Sequence, residues 1–158
     1  VKGLLVAAAI LVAFLVHTVL GRYFQALGQF MDLFTVIAAT FGLLYGRVAG
    51  MAIGTTAGLI QDAFSGGLLG FNGISKTIVG YLAGIAGHHI IVRGLPARLL
   101  FFVAASLLDL AILATVSELA LQPRVVGEGL TPVYVCASNA LAGILLMRAV
   151  EEKKSNRP

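Results

Sequence analysis

Charge is scarce in this sequence: Asp, Glu, Lys and Arg make up 11% of its 158 residues, less than half of the roughly 25% found in soluble domains. With 59% hydrophobic residues and a mean hydropathy of +0.98, a water-soluble globular protein is excluded. The single cysteine, Cys136, sits in an apolar run, so an intrachain disulfide is impossible and a cysteine metal centre is not expected. Basic residues are scattered singly rather than gathered on one face, which argues against nucleic acid as a partner. No paired-carboxylate array, no Ser or Cys nucleophile with a placed base and no phosphate-cradling loop occurs. Neither enzymatic activity nor a cofactor is therefore expected.

What the sequence has instead is apolar runs of bilayer length. A span needs about 20 apolar residues, and six such segments fit: 3–20, 33–46, 48–65, 74–92, 97–121 and 130–150. The expected fold is an all-α integral membrane protein, one polytopic domain of six transmembrane helices with a charged tail at 151–158. The first run follows Lys2 but has no small-x-small cleavage site after it, so it is expected to be a retained span rather than a signal peptide. The second is short enough to require tilt or borrowed flanking residues. Pro96 and Pro132 suit the first turns of the fifth and sixth helices, where a missing N–H costs nothing. An even span count puts both termini on one side, with Lys2, Arg47, Arg93, Arg98, Arg148, Lys153, Lys154 and Arg157; the other side has Arg22, Lys76 and Arg124. Eight basic residues against three place both ends in the cytoplasm and turn the Asp62–Lys76 region outward.

Glycine carries the most information. Of 19 glycines, 13 lie between Gly42 and Gly94, and Gly46, Gly50, Gly54 and Gly58 recur at every fourth position on one helical face. Gly80 and Gly84 give the next helix a similar face. Lipid supplies no hydrophobic drive between helices, so such grooves serve close backbone packing. The partner is either a neighbouring helix of this chain or another molecule, a homodimer included.

Ionisable residues within a membrane turn inward and find partners. The candidates are Asp62, Lys76, Asp109 and Glu118. At about 1.5 Å per residue, Asp62 and Lys76 come to similar depth, and an Asp62–Lys76 pair is predicted, as a structural lock or as part of a ligand pocket. Asp109 has no basic residue at its depth and is expected to hydrogen-bond Ser106, Asn139 or a backbone carbonyl, with a proton or ion pathway as the alternative. His88-His89 suits a helix C-terminus, and His17 an interior hydrogen bond.

The stretch GLIQDAFSGGLLGFNGISKTIVGYLAG, Gly58 to Gly84, resembles the signature of the bacterial rod-shape-determining MreD family. The residues carrying the resemblance are Gly58, Asp62, Ser65-Gly66, Gly70, Ser75-Lys76-Thr77 and Gly80-Tyr81, within a stretch that is about a sixth of the chain. Family members often carry a proline before the aspartate that opens the second span, whereas Phe30-Met31-Asp32-Leu33 has none. The resemblance implies a non-enzymatic scaffold of the bacterial inner membrane, binding MreC and coupling MreB filaments to elongation-specific peptidoglycan synthases. It also implies a fold similar to the S-components of energy-coupling-factor vitamin transporters. A binding pocket or structural polar cluster would then comprise Asp62, Ser65, Gly66, Gly70, Lys76 and Thr77, filled by a small ligand or by a partner segment. The alternative is a substrate-binding S-component itself, whose small-residue docking motif Ala9-x-x-x-Ala13 resembles.

Overall fold

The computed structural model describes residues 10–12, 15, 31–65, 69–89, 94–120 and 129–155, and among these every regular element is an α-helix. In chain order they are α1 (Leu33–Tyr45), α2 (Arg47–Ser65), α3 (Phe71–His89), α4 (Leu95–Leu119) and α5 (Thr131–Ser155). Most of the expected first span lies outside the described residues, as do Gly66, His17 and Ala9-x-x-x-Ala13. Ile10, which is described, is helical and packs with Phe34, Ile37 and Phe41 of α1 and Ala57 of α2.

The helix boundaries follow local chemistry. Asp32 caps α1, its carboxylate accepting the Thr35 N–H at 3.2 Å. α1 and α2 are separated only by Gly46, whose φ of +90° is open to glycine and strained for other residues. A Cβ on Gly46 itself would meet nothing within 4 Å, although its carbonyl carbon lies where a Cβ on Gly84 would fall, so it joins the predicted packing face through its backbone and is glycine because of the turn. Pro96 falls in the first turn of α4, as its missing N–H requires. α3 starts at Phe71 rather than Ile74, because its first turn is capped from outside by Asp62, described below.

The remaining glycines of the predicted face do pack helix on helix, within the chain. A Cβ on Gly50, Gly54 or Gly58 would collide with the α3 backbone at Gly80, Lys76 and Asn72 respectively. One on Gly80 would strike the Gly50 carbonyl, and one on Gly84 the backbone of Arg47. The α2 glycines expected as a packing or partner surface are thus covered by α3, the backbones lying closer than side chains would permit. Elsewhere Val36 and Ala39 of α1, Val79 and Ala83 of α3, Phe102 and Ala105 of α4, and Ala140 and Met147 of α5 form one apolar cluster.

Polarity is distributed against the rule for water-soluble folds. Lys76, Ser75 and Thr40 are wholly buried and Asn139, Ser106 and Asp109 nearly so, while Leu100, Leu107, Leu141 and Leu145 are exposed. Two helices, α4 and the 131–152 part of α5, are long and apolar enough to cross a bilayer. α1 is apolar but only 13 residues long. The apolar character of α2 and α3 is diluted by the Gly, Thr, Ser, Asn and Lys residues that the interior uses.

Candidate functional site

Asp62, three residues from the end of α2, faces the start of α3. Its Oδ2 accepts the N–H of Gly70 at 2.8 Å and of Gly73 at 3.0 Å, and its Oδ1 accepts the Asn72 N–H at 3.1 Å and Nδ2 at 2.9 Å. The first N–H groups of a helix have no partner within it, and that end carries partial positive charge. A carboxylate supplied by the preceding helix answers both needs. It also closes the α2–α3 hairpin while the glycine ladder holds its length.

Lys76, one turn after Asn72, donates to the Asn72 Oδ1 at 3.0 Å. Its Nζ lies 2.9 Å from Asp32 Oδ2 and 3.5 Å from Asp109 Oδ2. The predicted Asp62–Lys76 pair is therefore replaced by a triad, with Asn72 standing between Asp62 and Lys76. Two causes account for the difference. The N-terminus of α3 already engages both oxygens of Asp62, and the earlier start of α3 carries Lys76 deeper, where its long stem brings the ammonium to Asp109.

The two carboxylates are held from several sides. Asp109 accepts from Thr35 Oγ1 at 2.8 Å and from Ser75 Oγ. Ser106 and Asn139, expected beside Asp109, bond each other instead, and Asn139 Oδ1 accepts the Asp32 N–H at 2.9 Å. Gln61 Nε2 reaches Asp32 at 3.4 Å. Residues from α1, α2, α3, α4 and α5 thereby meet at one buried polar cluster.

The other predicted positions have local roles. Ser65 is exposed and bonds the Asp62 carbonyl. Thr77 bonds the Gly73 carbonyl at 2.6 Å and shares a hydrogen bond with Thr55 at 2.7 Å. Gly70 has a φ of +110°, a turn conformation that aims its N–H at Asp62. Glu118 is exposed near the end of α4 and His88 near the end of α3.

Comparison with family models, curated proteins and solved structures finds no match to this chain. The site therefore rests on its own geometry. Asp32, noticed in the sequence only at the opening of the second span, is the partner that sequence reasoning missed; the signal for it was its place directly before an apolar helical run, the position of a helix cap. A lysine with no exposure and carboxylates already engaged on several sides form a lock between helices, with the ammonium closed to solvent.

Thermal melts of double-mutant cycles separate the two pairings. Coupling between Lys76→Met and Asp32→Asn is expected to exceed coupling between Lys76→Met and Asp62→Asn. The reverse order would reinstate the Asp62–Lys76 pair.

Proposed function

We propose that this chain is a six-span scaffold of the bacterial inner membrane, of the MreD type, with both termini cytoplasmic. It binds MreC and supports peptidoglycan synthesis along the cell's length, without chemistry of its own. The observation that carries this reading is the stretch from Gly58 to Gly84. Its family-like residues Gly58, Asp62, Gly70, Ser75, Lys76 and Gly80 all fall on the α2–α3 contact or the polar cluster beside it. A sequence signature of small and charged residues thus has one physical purpose, to fix two helices against each other and tie them to α1 and α4.

Exposed leucines around a polar interior suit lipid as the surrounding solvent, where buried polar groups must satisfy one another. The inward engagement of Asp62 and Lys76 favours a rigid scaffold over a ligand-gripping pocket. Because α3 covers the α2 glycine ladder, MreC is assigned to another surface.

Depletion in a rod-shaped host is expected to round the cells, and affinity purification from native membranes is expected to recover MreC. Preserved rod shape with loss of uptake of one vitamin would overturn the scaffold reading in favour of an S-component.

A further inference from the structure

We infer that the buried cluster of Lys76, Asp32 and Asp109 binds one exchangeable proton, seated on Asp109 Oδ1 against the Ser75 hydroxyl. Two acids there face one base. Lys76 Nζ lies 2.9 Å from Asp32 Oδ2 and 3.5 Å from Asp109 Oδ2, and the side chains of Lys76, Asp32 and Asp109 are 0%, 15% and 4% exposed. With both acids ionised the cluster carries one uncompensated negative charge, which a buried site holds only at large cost. One added proton makes it neutral.

Among the described residues no second cation does the same. α1, α3 and α5 pack against α4, and the charged groups acting on Asp109 from these elements and from the cap of α1 are Lys76 and Asp32. α1 itself contributes the Thr35 hydroxyl, and α5 presents Asn139, which bonds Ser106.

The supply of hydrogens places the proton. An ammonium has three, and Lys76 meets three acceptors: Asn72 Oδ1 at 3.0 Å, Asp32 Oδ2 and Asp109 Oδ2. Asp109 Oδ2 also accepts the single hydrogen of Thr35 Oγ1. Asp109 Oδ1, among the described residues, has Ser75 Oγ alone, and that hydroxyl lies 3.2 Å from the Asp109 main-chain oxygen as well. One hydroxyl hydrogen is thus divided between two acceptors. A hydrogen on Oδ1 removes the shortage, because Oδ1 then donates to Ser75 Oγ and Ser75 Oγ donates to the main-chain oxygen. When that proton leaves, Ser75 turns its hydrogen to Oδ1 and gives up the main-chain bond. Proton loss therefore restores the net negative charge and reduces two bonds between α3 and α4 to one, so occupancy sets how firmly α4 is held. Asp32 is the member of the cluster open to water, and exchange proceeds from its side.

Infrared spectroscopy of the full chain in detergent tests the site. The chain has three aspartates, Asp32, Asp62 and Asp109, so a heavy carbon isotope at the aspartate carboxyl moves their bands and leaves those of glutamate in place. At neutral pH the wild type is expected to show one isotope-shifted carboxylic-acid C=O band, which moves again in heavy water. Asp109→Asn is expected to abolish it. Asp32→Asn is expected to abolish it too, although Asp109 is untouched, because one ammonium then faces one acid; a merely structural Asp109 would not respond. Ser75→Ala is expected to keep the band at an altered frequency, since the acid has lost its acceptor. A wild type with no such band overturns the proton, and a band insensitive to heavy water overturns its exchange. A band that survives Asp109→Asn or Asp32→Asn overturns the assignment to this cluster, and one that Ser75→Ala leaves unmoved overturns the seat on Oδ1. Should Asp109→Asn not fold, the wild-type, Asp32→Asn and Ser75→Ala spectra decide.

Discussion

Replacing Lys76 with methionine is expected to destabilise the protein by roughly 3–5 kcal/mol, the cost of leaving buried charge without its partner. Methionine preserves much of the stem's packing, so the loss reports on the ammonium. What remains is two carboxylates, Asp32 and Asp109, that had shared one cation at 2.9 and 3.5 Å. Adding Asp32→Asn and Asp109→Asn to Lys76→Met should recover most of the loss, because amides can still bond Thr35, Ser75 and Gln61. Thermal unfolding in one detergent, read by circular dichroism, makes the comparison. A triple variant no more stable than Lys76→Met would show that the triad is not held together by its charges.

The second large effect is expected from one added methyl group. In Gly54→Ala the new Cβ overlaps the Lys76 carbonyl, and the obstacle is backbone, which has no rotamer to change. Overpacking costs typically 1–3 kcal/mol and occasionally more, and a rigid obstacle puts Gly54→Ala at about 3 kcal/mol or above. Gly54→Leu is expected to yield no folded protein. Ala52→Leu, on the exposed side of the same helix, should stay within about 0.5 kcal/mol of the parent. A Gly54→Ala melting temperature equal to the parent's would mean that α2 and α3 do not touch there.

Much of the helical layout was legible because it depends on local signals. Pro96 and Pro132 mark first turns, and apolar runs end where Arg47 and Gly94 stand. The four-residue glycine period announced a close helix contact, and Gly50, Gly54 and Gly58 are the members at which a Cβ would block it. Gly46 fits the period by position, yet its backbone makes the turn between α1 and α2. The site was legible in membership and not in pairing. Asp62, Lys76 and Asp109 stood out as charges within apolar sequence, but their partners depend on where α3 begins and how the antiparallel helices align. A cap supplied by a side chain eight to eleven residues upstream moved that start by three residues, and the lysine found different acids.

Under the membrane topology proposed above, the convergence of several helices on Lys76 also bears on how such a chain is made. Within the described part, α4 and α5 have the hydrophobicity to leave a translocon sideways on their own account. α3 carries a lysine whose counter-charges lie before α1 and in the middle of α4, so one of its two acidic partners is missing until α4 has been synthesised. The early helices would therefore wait beside the insertion machinery as a group. Maturation would end when Asp109 arrives, making the nascent chain most exposed to quality-control proteases in the interval between α3 and α4.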